Sequence, residues 1–144
     1  ELAEKCESNA VIDLNDSAFF NPASMSEAVW EYLTKTGQAS GNLRWDILFR
    51  TFYESLARIY ADTIRDIERV TGNVFEKVYI VGGGAASSVL LNLSARYMKK
   101  PIVVCYGEST SMGNLGIQLK YFNKDFSLSD IRRVIADSYE TKHI

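Results

Sequence analysis

The spacing of hydrophobic residues predicts a chain that starts with helices and then alternates strands with helices. Residues 43–71 contain no glycine or proline, and apolar residues recur there every three or four positions, as in one long amphipathic helix. The pairs Asp46 with Arg50 and Glu54 with Arg58 then fall one turn apart, and we expect them on the solvent side. The expected inward face consists of Trp45, Leu48, Phe49, Phe52, Leu56, Ile59, Tyr60, Ile64, Ile67 and Val70.

A shorter helix is predicted before the long one. The stretch 24–27 (Ser-Met-Ser-Glu) has the spacing of a capping box, and Gly37 provides a stop signal. Residues 1–20 read as an extended segment or loop, because an Asn-Asp-Ser stretch separates their apolar clusters. The inward face of the helix should carry Met25, Ala28, Val29, Tyr32 and Leu33.

Two apolar stretches, 74–81 and 101–106, predict parallel strands joined through a helix over 88–98 with a right-handed crossover. The second strand is almost continuously apolar, which is typical of a strand covered on both faces. Two strands alone make a poor sheet, so we expect further strands outside this chain. Residue 1 is Glu rather than Met, which supports reading the chain as a piece of a longer protein.

Three consecutive glycines, Gly82, Gly83 and Gly84, follow the first strand directly and precede a helix. Glycine has no Cβ, so the backbone can turn sharply there and approach a ligand closely. Ser87 or Ser88 can cap the next helix, whose free N–H groups favour an anion or a polar ligand edge. The spacing therefore predicts a ligand-binding elbow. A tight strand-to-helix connection without a ligand is the alternative.

The last part of the chain predicts a turn over 107–111 and two helices. Gly113 and Gly116 each cost a helix about 1 kcal/mol relative to alanine, so we expect a close approach to the strand edge beside the elbow or to a ligand. The stretch 127–130 opens the final helix, and residues 138–144 are expected to fray. The inward positions of the two helices are Met112, Leu115, Leu119 and Phe122, then Ile131, Val134, Ile135 and Tyr139.

Composition excludes several classes of protein. With 144 residues, 47% of them hydrophobic, the chain suits one globular domain. A net charge of −2 and scattered basic residues argue against nucleic acid as a partner. Cys6 and Cys105 have neither metal-ligand nor disulfide spacing, which favours a cytoplasmic setting. No apolar run approaches the roughly 18 residues of a membrane span, and no secretory leader is evident.

Catalytic chemistry is scarce in this sequence. The single histidine, His143, argues against a histidine-based triad or metal cluster, and no phosphate-binding P-loop motif occurs. Asp13, Asp16 and Glu108 are ordinary surface acids. The elbow is also a near match to a Rossmann fingerprint, with serine in place of the third glycine and Glu108 after the next strand. A dinucleotide fold would normally open with this strand, whereas two helices precede it here.

Several stretches together carry a resemblance to a known family. They are 81–92 (Val-Gly-Gly-Gly-Ala-Ala-Ser-Ser-Val-Leu-Leu-Asn), the Pro-Ile-Val-Val of the second strand, and 107–119 (Gly-Glu-Ser-Thr-Ser-Met-Gly-Asn-Leu-Gly-Ile-Gln-Leu). Segments 20–25 and 53–57 match as well, so the similarity covers nearly the whole chain. The sequence resembles the C-terminal part of FGGY-type carbohydrate kinases. The 107–119 run is similar to rhamnulokinases more than to glycerol or xylulose kinases.

The resemblance implies an α/β fold: the helix-rich C-terminal part of a ribonuclease H-like, actin-like ATPase domain with a short parallel sheet. It implies that ATP and a ketose, L-rhamnulose or a similar sugar, bind between two domains. The elbow would be the adenosine motif, with Gly82, Gly83, Gly84 and Ser87 at the nucleotide. The catalytic aspartate and the loops that hold the phosphates and Mg²⁺ would lie in an N-terminal domain outside this chain.

On this interpretation residues 1–144 form a single domain fragment on the ATP-binding side. It has no catalytic residue or metal ligand of its own, is inactive alone, and self-associates through an unpaired sheet edge. Alternative substrates are L-fuculose and xylulose. From other classes, a non-catalytic helical interaction module and the Rossmann-type domain remain alternatives.

Overall fold

A computed structural model describes residues 2–105, 109–138 and 141–144. Within these residues the chain forms six α-helices and three short strands, with 3₁₀ turns at Ser17–Phe19 and Gly83–Ala86. None of the described helices combines the length and the apolar composition that a membrane-spanning helix requires. In chain order the elements are α1 (Leu2–Lys5), α2 (Met25–Lys35), α3 (Trp45–Thr71), β1 (Val78–Val81), α4 (Ser88–Met98), β2 (Ile102–Cys105), α5 (Ser109–Phe122), α6 (Leu128–Asp137) and β3 (Thr141–His143).

The sheet has β2 at its centre. β1 pairs with β2 in parallel, with Val78 opposite Ile102, as the strand–helix–strand pattern predicts. β3 pairs with the other side of β2 in the antiparallel sense. The prediction of fraying at the end of the chain is therefore wrong for 141–144, because the Ile144 and Ile102 backbones exchange hydrogen bonds of 2.9 and 3.0 Å. The apolar stretch of β2 is buried as expected.

Local signals set the helix ends as predicted. Ser24 accepts a hydrogen bond from the backbone N–H of Glu27 at the start of α2, although the reciprocal half of a capping box is not formed there. Gly72 ends α3 in the left-handed conformation, with φ of +71°. Ser127 and Asp130 form a complete capping box at the start of α6. The N-terminal segment departs from the prediction only at α1 and the first 3₁₀ turn.

The buried face of α3 differs from the predicted one. Trp45 and Phe49 are exposed, while the buried set includes polar residues. Asp46 pairs with Arg44 at 2.5 Å rather than with Arg50, and Glu54 is fully buried, so the expected solvent-facing pairs are wrong. The face rotates because α3 packs along α4. The buried residues of α3 are Leu48, Thr51, Glu54, Ser55, Ala57 and Ala61.

The first core lies between the N-terminal segment, α2 and the start of α3. Leu33 and Val29 are fully buried there, as predicted, and Ile12 and Leu48 pack with them. Met25, predicted to face inward, is exposed. The indole of Trp30 is buried instead. Burial does not leave its N–H unpaired, because Nε1–H donates to the Gly41 carbonyl at 3.1 Å.

α5 and α6 pack against each other. A Cβ built on Gly116 would lie 2.6 Å from Cγ2 of Ile131, so the glycine allows close approach of the two helices. The expected approach to the strand edge or a ligand is thus wrong for Gly116, and a Cβ on Gly113 would meet nothing within 4 Å. Residues 106–108, including Glu108, and Tyr139 lie outside the described part of the chain. The predicted turn over 107–111 is wrong for its last three residues, because α5 already begins at Ser109.

Candidate nucleotide-binding site

The glycine elbow begins with a backbone conformation that only glycine adopts easily. β1 ends at Val81, and Gly82 follows with φ of +77° and ψ of −160°. Side chains rarely tolerate that conformation, because a Cβ would collide with the neighbouring backbone. The Gly82 carbonyl then accepts from the N–H of Ala85 at 3.0 Å, which starts the 3₁₀ turn.

The outer side of the elbow is open. A Cβ added to Gly82 or Gly83 would meet no atom within 4 Å, and one added to Gly84 would meet only Leu90 Cδ2, at 3.8 Å. The underside is anchored by Ala85, which is 2% exposed and packs with Leu91 and the β2 side chains. The backbone of the elbow is therefore exposed on its outer side and packs on buried residues on its inner side.

Of the two serines predicted as possible caps, Ser87 is the one that caps α4. Its Oγ accepts from the N–H of Leu90 at 3.3 Å. Ser88 instead donates from Oγ to Oε1 of Glu4 at 2.9 Å, and that hydrogen bond lowers the pKa of the Glu4 carboxyl. The first turn of α4 is thus linked to α1 near the elbow.

An open groove of about 580 Å³ runs from the elbow along β1. Its walls are the β1 strand, Gly84 and Leu90 on one side and the second half of α3 on the other. The α3 side contributes Ile59, Tyr60 and Ile64. This apolar wall lies beside β1. The edge of β1 that faces away from β2 pairs with no other strand among the described residues.

The loop acids serve local turns. Oδ1 of Asp16 accepts from the N–H of Ala18 at 2.8 Å, and Oδ1 of Asp13 accepts from the N–H of Asn15 at 2.9 Å. His143 contributes its backbone to β3. Among the described residues, no three His, Cys, Asp or Glu side chains converge in a way that could hold a metal ion.

Sequence reasoning missed a buried ion pair behind α4. Oε1 of Glu54 accepts from Arg50 at 2.7 Å, and Oε2 accepts from the Tyr97 hydroxyl. No local signal marked it, because Glu54 and Arg58 have the i, i+4 spacing of a solvent-facing pair.

The fold agrees with the comparisons to known proteins. The sheet and helices are those of the actin-like ATPase class, and residues 2–120 match the family model for the C-terminal domain of the FGGY family of carbohydrate kinases. The chain belongs to this family.

Its relatives include proteins named rhamnulokinase from three bacteria. The protein from Enterobacter sp. (strain 638) is 33% identical over 129 residues, covering 90% of this chain and 26% of the relative. The one from Halalkalibacterium halodurans is 29% identical over 99% of this chain and 30% of the relative. The protein from Bacteroides thetaiotaomicron is 30% identical over 97% of this chain and 29% of the relative. The chain thus spans between a quarter and a third of these relatives' length.

Proposed function

We propose that this chain supplies the adenosine-binding side of an ATP-dependent sugar kinase. In the parent reaction, a sugar hydroxyl oxygen attacks the γ-phosphorus of ATP. The bond from that phosphorus to the bridging oxygen breaks, ADP leaves, and the hydroxyl proton passes to a base. The family assignment supports the reaction, and the shared name rhamnulokinase supports L-rhamnulose or a similar ketose as acceptor.

The open elbow carries this proposal. Gly82, Gly83 and Gly84 leave the main chain exposed, so a flat base and its ribose can lie directly against it. Ser87 accepts from Leu90 and keeps a hydroxyl proton that it can donate to a nucleotide. These four residues form the proposed adenosine contact.

The triphosphate and Mg²⁺ are assigned to the rest of the parent. The described residues bring together no cluster of acidic or imidazole side chains suited to a metal. When bound, Mg²⁺ would offset the negative charge that develops during transfer. We place its ligands and the catalytic aspartate in an N-terminal domain outside residues 1–144. On this proposal, residues 1–144 are one C-terminal domain fragment that is inactive alone.

The free edge of β1 supports this division. Tyr79, on the strand, is 56% exposed, and the apolar groove lies beside it. We propose that a strand from the rest of the parent pairs there, since the relatives are more than three times as long as this chain. We place the parent in the cytoplasm, a reducing setting that suits the free, buried Cys6.

Without that strand, the same edge should drive self-association of the isolated chain. Sedimentation should show mass rising with concentration, and Tyr79→Lys should reduce it because charges on an edge oppose pairing. A clean monomer at high concentration would count against the edge proposal.

The elbow assignment is tested with Gly83→Asp in the intact parent. The carboxylate would crowd and repel the nucleotide, so we expect the KM for ATP to rise about tenfold or more, with the KM for sugar little changed. Steady-state kinetics in both substrates measure this split.

Gly83→Asn is the matched control, because it has nearly the same size and no charge. It should raise the KM for ATP less than the aspartate does. An ATP dependence that is unchanged in both variants would exclude the elbow as the nucleotide site.

A further inference from the structure

Arg50 and Glu54 of α3 connect three helices through partly buried polar contacts. The Arg50 guanidinium donates to Glu54 Oε1 from Nε at 3.0 Å and from Nη2 at 2.7 Å, and its Nη1 donates to the Ala3 carbonyl of α1 at 3.2 Å. The Tyr97 hydroxyl, near the end of α4, donates to the other oxygen of Glu54. Glu54 is 0% exposed, so its carboxylate is shielded from water.

The opposite end of α4 is held through the same helix α1. Ser88, the first residue of α4, donates to Glu4, which follows Ala3 directly in the chain. The contacts thus form a closed ring that runs from α3 to the end of α4, along α4 to its start, across to α1, and back to α3. We call this set of residues the α4 ring: Ala3, Glu4, Arg50, Glu54, Ser88 and Tyr97.

Both ends of α4 are therefore linked to α1, one directly through Ser88 and the other through Arg50 and Glu54 of α3. An α-helix of 11 residues is a rigid rod about 16 Å long, so two anchor points fix its direction. The Tyr97 ring is held further by the Arg58 guanidinium, 5.0 Å from its centroid. The elbow ends where α4 begins, and the direction of α4 sets where Gly82–Gly84 point.

We propose that the α4 ring positions the glycine elbow for the nucleotide, and that Glu54 and Tyr97 are positioning residues for ATP. This inference rests on the proposed function of the elbow. A buried charge pair suits the task, because its hydrogen bonds have narrow geometric requirements and are costly to leave unmade.

The first test is Tyr97→Phe in the intact parent, which removes one hydroxyl and keeps the ring. The KM for ATP should rise about three- to tenfold, while kcat and the KM for sugar stay close to wild type. A merely structural role would lower the fraction of active enzyme, and with it the maximal rate, at an unchanged KM for ATP. That result would overturn the inference.

The second test is a double-mutant cycle of Tyr97→Phe with Ser88→Ala. The two residues are nine positions apart on one helix, about 14 Å, and changes at that separation usually add. The ring requires the opposite: once one anchor is lost, losing the other should change the KM for ATP by clearly less or more than the product of the single effects. Strict additivity would exclude a shared positioning role.

Glu31→Gln is the control partner for the cycle. Glu31 forms an exposed pair with Lys35 in α2, outside the α4 ring, so its combination with Tyr97→Phe should be additive. The two proposals fail separately. If Gly83→Asp raises the KM for ATP but the cycle is additive, only the positioning inference falls. If Gly83→Asp has no effect, the nucleotide assignment itself falls.

Discussion

The two parts of α3 share one amphipathic pattern and have different environments. Up to Ala61 the helix packs on α4 and on the first core, and it buries six residues, including the charged Glu54. From residue 62 onward no described residue of α3 is buried, and Val70 is 81% exposed. The apolar spacing is equally regular in both parts.

Burial therefore follows the partner rather than the pattern. In the first part, α4 approaches closely over Ala57 and Ala61, and a polar network fills the contact. In the second part, Ile64 lines the groove beside β1, while Ile67 and Val70 lie outside it and are exposed. An apolar face without a partner on a single domain is typical of a surface that another chain segment covers.

The largest expected effect lies in the first part. Glu54→Ala leaves the buried Arg50 guanidinium and the Tyr97 hydroxyl without their acceptor, which should lower the free energy of unfolding by about 3 to 5 kcal/mol. Urea denaturation measures the loss. Glu31→Ala, which breaks an exposed pair, should cost less than about 1 kcal/mol. Equal losses in the two variants would contradict the proposed difference in burial.

A smaller effect is expected at the end of α3. Lys100 donates to Glu68 at 2.8 Å, and this contact, with the N–H of Phe75, lowers the pKa of the Glu68 carboxyl below its ordinary 4.5. A lowered pKa in the folded state stabilises the protein above pH 4.5, and the contribution is lost as the pH falls through the folded value. The stability advantage of wild type over Glu68→Gln should thus shrink on acidification.

Unfolding experiments from neutral pH to well below 4.5 measure that difference. Lys100→Met provides the matched control, since it removes the largest cause of the lowered pKa but keeps the hydrogen bond from the N–H of Phe75. Its pH dependence should therefore lie between those of wild type and Glu68→Gln. If the difference in free energy of unfolding between wild type and Glu68→Gln stayed constant across this range, the contact would not couple protonation to folding.

Features governed by a few neighbouring residues were predictable from the sequence. Ser24 and Ser127 cap their helices, Gly72 stops α3, and three glycines form the turn after β1. Each depends on backbone geometry within about one turn, so the local residue types suffice. The elbow as a candidate site belongs to this group, and its ligand remains a proposal.

Features that join distant residues required the folded chain. The partner of Gly116 is Ile131 on another helix, and the β3 pairing brings Ile144 to Ile102. Glu54 reads as a surface residue in a helical pattern, and only the approach of Tyr97 from α4 makes it a buried acceptor. Amphipathic spacing defines a stripe on a helix, but which part of that stripe is buried depends on the neighbouring elements and their distance, which no local pattern encodes.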